Sequence, residues 1–125
     1  MQPPGMRLAG IVLDSPDASG LADFYRRFLG WATVQDEPGW VKLQSPDGGA
    51  GLSFQTERNY VPPEWPSLQG RQQMMMHLDI AVDDLDAAGA WAVETGATLA
   101  EFQPQTHVRV YLDPAGHPFC LFVRG

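Results

Sequence analysis

Two stretches of this chain repeat the same order of structural signals, and that duplication constrains the fold more than any single motif. Gly10 aligns with His77, Asp17 with Asp84 and Phe24 with Trp91 at a spacing of 67 residues, and Pro46 and Gly48 align with Pro114 and Gly116 at 68. Self-similarity of this kind marks a supersecondary unit built twice. In the first copy, Leu8 to Asp14 reads as a strand. Ser15-Pro16-Asp17 then opens a helix, with a capping hydroxyl or carboxylate around a proline suited to the first turn. Leu21, Phe24, Tyr25, Phe28 and Leu29 make one apolar helical stripe, which Gly30 ends. Strands over Trp31–Gln35, Trp40–Gln44 and Gly51–Thr56 follow, divided by turns at Asp36–Gly39 and Pro46–Gly49. The segment 57–73, with Pro62, Pro63 and Pro66 around Trp65, is long for a structureless loop and reads as a linker or a lid.

The second copy opens on His77-Leu78-Asp79-Ile80-Ala81-Val82, a strict alternation and therefore a strand. His77, Asp79 and Ala81 share one face, while Leu78, Ile80 and Val82 share the other. Asp83 or Asp84 caps a helix carrying Ala88, Trp91, Ala92 and Thr95, ended by Gly96. Strands at Ala97–Phe102, His107–Leu112 and Pro118–Val123 complete the copy, with a turn at Asp113–Gly116 that includes His117 at its edge. The chain therefore reads as an α+β domain over 1–125. It has a βαβββ module at 7–56, a linker or lid at 57–73 and a second module at 74–125.

Each helix is expected to cover the apolar face of its own sheet: Ile11, Leu13, Val41, Leu43, Leu52 and Phe54 in the first module, and Leu78, Ile80, Val108, Val110, Phe119 and Leu121 in the second. Two uncovered faces turned toward each other would enclose a cleft. Its expected lining is Val12, Asp14, Trp40, Lys42, Gln44, Ser53 and Gln55 from one module, and His77, Asp79, His107, Arg109, Tyr111, Cys120 and Phe122 from the other.

Composition narrows the function. A net charge of −7 with no basic cluster argues against a nucleic-acid partner. No apolar run approaches the roughly 20 residues of a membrane span, and Met1–Gly5 lacks the apolar core of a signal peptide. The single cysteine, Cys120, cannot form an intrachain disulfide, which fits a reducing cytoplasm.

The residues Ile11-Val12-Leu13-Asp14-Ser15-Pro16-Asp17, Phe28-Leu29-Gly30-Trp31, His77-Leu78-Asp79 before Val82-Asp83-Asp84-Leu85, and Asp113-Pro114-Ala115-Gly116-His117-Pro118-Phe119-Cys120 resemble the vicinal oxygen chelate superfamily, the glyoxalase, bleomycin-resistance and dioxygenase fold. They look most like its small bacterial glyoxalase-like branch. The resemblance implies two βαβββ modules forming an eight-stranded, open, barrel-like cleft with one helix per module, and a homodimer. In metal-dependent members, four strand positions supply His, Glu, His and Glu to one divalent ion. The matching positions here are Gly10, Ser53, His77 and Cys120. Only His77 keeps the family's residue, so the usual metal is not expected and no cofactor is; a divalent ion, were one bound, would take His77 with Cys120.

The expected role is binding of a small organic molecule in the cleft, with Trp40, Gln55, Trp65, His77, Arg109, Tyr111 and Cys120 as ligand contacts. Two catalytic alternatives stay open. One is a divalent-metal-dependent lyase or isomerase of the glyoxalase type using His77. The other is a metal-free acid/base enzyme with His77 and Asp79 as the catalytic pair.

Overall fold

The computed structural model describes residues 2–123; Met1, Arg124 and Gly125, the outermost residues of the expected domain, lie outside the described residues. The described chain forms two units, which divide between residues 58 and 59. The first contains β1 (Gly10–Ser15), α1 (Ala18–Leu29), β2 (Ala32–Glu37), β3 (Trp40–Gln44) and β4 (Gly51–Thr56). The second contains β5 (Leu78–Ala81), α2 (Leu85–Thr95), β6 (Thr98–Leu99), β7 (Val108–Leu112) and β8 (Pro118–Phe122). Each unit is a four-stranded sheet, ordered β1-β4-β3-β2 in one and β5-β8-β7-β6 in the other. The outer pairs β1–β4 and β5–β8 are parallel, and the remaining pairs are antiparallel. The α+β fold class and the duplicated βαβββ order are both as expected.

Both helices start as the sequence directs. Asp17 caps α1 by accepting from the Gly20 N–H, and Asp84 caps α2 by accepting from the Ala87 N–H, each meeting one of the amides left over in a first turn. Gly30 closes α1 at φ 73°, a left-handed conformation that glycine adopts without cost. The apolar stripe of α1 places Leu21, Phe24, Tyr25 and Phe28 in the core against Val41, Leu43, Leu52 and Phe54. The Tyr25 and Phe54 rings stack at 5.5 Å.

The second unit fills the same space differently. The buried residues of α2 are Gly89, Ala92 and Thr95, all small, and the sheet supplies the bulk through Tyr111 and Phe119, whose rings stack at 5.9 Å. Trp91, grouped with Ala88, Ala92 and Thr95 by helical spacing, is 48% exposed. The Tyr111 hydroxyl reaches the backbone of α2 at Gly89, where a Cβ would overlap it. This explains a glycine inside a helix. Alanine there would gain up to about 1 kcal/mol of helix propensity, but overpacking a close contact costs about 1–3 kcal/mol. Gly89→Ala is therefore expected to lower the Tm. Adding Tyr111→Phe, which removes the hydroxyl, should recover part of the loss in a double-mutant cycle; additive losses would show that the two residues do not meet.

Most strand limits shift by one or two residues from expectation; β1, for example, runs from Gly10 to Ser15 rather than from Leu8 to Asp14. β2 runs on through Asp36 and Glu37, so the turn shrinks to Pro38–Gly39. His77 stands one residue before β5. The expected strand at Ala97–Phe102 is reduced to Thr98–Leu99. There the side-chain amide of Gln103 takes the place of a neighbouring strand: its Nε2 donates to the Val110 carbonyl at 2.8 Å and its Oε1 accepts from the Val110 N–H at 2.9 Å. The segment expected as linker or lid is tied to the second unit. The Tyr60 hydroxyl donates to the Ala115 carbonyl at 2.8 Å, and the Trp65 indole N–H donates to the Phe102 carbonyl at 3.0 Å.

Candidate functional site

The β5–β8 ladder sets Asp79 directly beside Cys120. His77, two residues upstream of Asp79, shares its face, and its Nε2 lies 3.0 Å from Asp79 Oδ1. The alternation read from the sequence thus brings imidazole, carboxylate and thiol together: one ligand atom from each lies within 4.8 Å of the others. Burial pushes the Cys120 thiol up from its ordinary pKa, and the Asp79 carboxylate adds to this by its charge and its hydrogen bond. The thiolate is the disfavoured form, so stability associated with the neutral thiol is full below the ordinary thiol range and is lost as pH rises above about 8.5. In chelator, alkylation of Cys120 at neutral pH is expected to run slower than that of an unstructured peptide thiol, and Asp79→Asn should speed it. A rate equal to the peptide's would contradict the raised pKa.

Beside this cluster the second unit has a cavity of about 230 Å³. Its walls include Trp65, Met74, Val108 and Val110, with His77 and Cys120 among its polar groups. It is smaller than the roughly 300–1,000 Å³ of sites for drug-sized ligands. It exceeds the roughly 150 Å³ apolar cavity that accepts benzene.

Of the expected contact residues, Trp65, His77 and Cys120 line this cavity. Trp40 and Gln55 are in the first unit, paired across β3 and β4; Trp40 Nε1 donates to Gln35 Oε1 and Gln55 Nε2 donates to Asp14 Oδ1. Arg109 and Tyr111 do not share the face of Cys120, and this corrects the strand register read from the sequence. Arg109 pairs with Leu121 and Tyr111 with Phe119, on the α2 side, where Arg109 meets Asp86 at 2.7 Å. Val110 pairs with Cys120 and Val108 with Phe122, so the valines expected under the helix face the cavity instead. The cause is a turn one residue shorter after β7 (residues 113–117) than after β3 (residues 45–50). The spacing of 68 seen at Pro46 and Gly48 therefore extends back through β7, matching Val110 with Lys42, and only β8 returns to 67.

The four metal positions implied by the resemblance do not fit that ion here. Gly10 offers no donor, and a Cβ there would lie 3.3 Å from the Gly51 carbonyl oxygen, tighter than ordinary contact, so the strand pair has closed over the position. Ser53 is a buried neutral hydroxyl, and Cys120 replaces a carboxylate.

Two sheets of this order, each carrying one helix, define the vicinal oxygen chelate class of fold. The chain belongs to the glyoxalase-like domain family, whose sequence profile matches residues 10–122. No curated protein sequence matches the chain. Among solved structures, it is similar to a glyoxalase/bleomycin resistance protein/dioxygenase family enzyme from Burkholderia phytofirmans PsJN, with 19% identity, 94% of this chain and 98% of that one covered, and a TM-score of 0.69. A glyoxalase-related enzyme from Fulvimarina pelagi shows 22% identity, coverage of 94% and 88%, and a TM-score of 0.69. An antibiotic-binding protein from Streptomyces sp. CB03234 shows 19% identity, complete coverage of both chains, and a TM-score of 0.59. At these identities the likeness is one of fold, and function has to be argued from the site. No described helix is long and apolar enough to cross a membrane.

Proposed function

We propose that the protein binds a small organic molecule, about the size of one substituted ring, in the cavity of the second unit, without the four-ligand metal of its fold family. The observation that carries this reading is the cavity itself, an apolar wall of Trp65, Met74, Val108 and Val110 with His77 and Cys120 as its polar anchors. Apolar walls supply affinity and a few placed polar groups supply orientation. The likeness to an antibiotic-binding protein supports the reading, and the net charge of −7 favours cationic ligands among those that fit. A cytoplasmic location, supported by the unpaired Cys120, and a homodimer, implied by the family resemblance, belong to the same proposal.

The test is a thermal-shift screen of small aromatic and cationic compounds against the full chain in chelator. A true ligand at one hundred times its Kd stabilises by about 2.7 kcal/mol, which for a domain of this size is about 10 °C in Tm. Trp65→Ala should weaken binding about tenfold or more. No shift with any compound, or shifts unchanged in the variant, would overturn the proposal.

The 3.0 Å contact between His77 and Asp79 favours a second reading, a metal-free acid/base enzyme. A positioned base contributes about 10²–10⁴-fold in rate. Turnover of any substrate found should fall by that much in His77→Ala, and unchanged turnover would remove this reading.

A further inference from the structure

We propose that the second unit holds a thiophilic divalent cation of the zinc class through His77 Nε2, Asp79 Oδ1 and Cys120 Sγ. This donor set lies wholly within one module and includes Asp79, which is outside the four positions implied by the family resemblance. It goes beyond the organic-ligand reading and does not rest on it.

The backbone supplies the geometry. Asp79 and Cys120 are register partners on parallel strands, and His77 and Asp79 are two residues apart on one face. Around a tetrahedral zinc ion, bond lengths near 2.0 Å to N or O and 2.3 Å to S set edges of about 3.3 Å for N···O and about 3.6 Å for S···N. The Nε2···Oδ1 edge is already 3.0 Å, and one donor atom from each of the three residues lies within 4.8 Å of the others. Closing on an ion therefore asks for movements of about 1 Å, within rotamer adjustment. Two of the donors have room to adjust, since the His77 side chain is 36% exposed and that of Asp79 is 61% exposed.

The donor chemistry selects the ion. Thiolate with imidazole suits zinc, cobalt and cadmium, whereas magnesium and calcium take oxygen donors. On binding, the ion takes the Nε2 lone pair of a neutral imidazole that carries its one proton on Nδ1, and any proton held at Nε2 goes to solvent. The Cys120 thiol releases its proton to solvent as the sulfur–metal bond forms, with no change of oxidation state. Three protein donors leave a fourth coordination position for water or a ligand atom. His77 and Cys120 also line the cavity, so a bound molecule could reach that position.

The test is titration of the chelator-stripped full chain with Co²⁺, with no organic compound present. The expected result is one cobalt per chain, with a thiolate-to-cobalt charge-transfer band in the near ultraviolet and the visible bands of tetrahedral cobalt. Zinc should displace the cobalt, and excess magnesium should not. Cys120→Ser should abolish the charge-transfer band, and Asp79→Asn should weaken binding at least tenfold, each with the circular dichroism of the parent. Absence of the band in the parent, or unchanged binding in both variants, overturns the proposal. Should a variant not fold, zinc protection of Cys120 from alkylation in the parent decides: protection supports the site, and none overturns it. Loss of metal binding would leave the thermal-shift result in chelator untouched, so the two readings fail separately.

Discussion

Phe54→Ala is expected to cost about 3–5 kcal/mol, the range for truncating a fully buried aromatic side chain. Phe54 is 0% exposed, and its ring is held from three directions. Tyr25 of α1 stacks on it, Leu13 is its partner on β1, and Val41 is its partner on β3. These neighbours belong to three elements, so none can move into the void without disturbing its own packing, and the cavity term adds to the lost transfer energy. Urea denaturation followed by tryptophan fluorescence should show the midpoint falling with the m-value unchanged. Phe54→Leu, which keeps most of the volume, should cost less than half as much. A loss under about 1 kcal/mol for the alanine variant would mean that Tyr25 collapses into the space and that the stacked pair does not hold the first core.

Asp113→Ala is expected to cost about 3 kcal/mol, because it strands several donors at once and each buried unpaired group costs about 1–3 kcal/mol. The Asp113 carboxylate is buried in the turn between β7 and β8. Its Oδ1 accepts from the backbone N–H groups of Ala115 and His117 at 2.9 and 3.0 Å, and its Oδ2 lies 2.8 Å from His117 Nδ1. His117 in turn lies 3.3 Å from the Tyr60 hydroxyl, so the turn is linked to the long segment that carries Trp65. Asp113→Asn keeps one oxygen for the two amides and should lose markedly less. Equal losses for alanine and asparagine would place the stabilisation in the carboxylate charge and not in the backbone acceptors.

The two turns also mark what could be read from the sequence. The duplication, the capping aspartates, the apolar stripe of α1 and the pairing of His77 with Asp79 were legible, because each depends on local spacing: 3.6 residues for a helix face and two for a strand face. The face of β7 was not. Its residues Val108-Arg109-Val110-Tyr111 alternate in polarity as well as in direction, so a one-residue slip exchanges the whole set of contacts. The match of Pro46 and Gly48 with Pro114 and Gly116 at 68 held the correction, since carrying it back from the turn matches Val110 with Lys42. The exposure of Trp91 was hidden for another reason. Helical periodicity reports which residues share a face, not which face meets the sheet, and Tyr111 decides that through a contact distant in sequence. The cavity is legible only in part: strand alternation puts His77 on the face of Asp79, while Val108 and Val110 read from the sequence as lying under the helix and in the structure line the cavity.

The exchange of bulk between helix and sheet has a consequence for how such a chain could be recombined. In the first unit, Phe24, Tyr25 and Phe28 project from the helix; in the second, Tyr111 projects from the sheet toward Gly89, with Phe119 stacked on it. A chimera setting α2 on the first sheet would leave the space of three aromatic rings unfilled. The reverse graft would drive three rings into space that Tyr111 already holds. Though duplicated in plan, the two halves have become non-interchangeable parts, each keyed to its own helix, so substitutions at their helix–sheet contacts must be accepted in pairs.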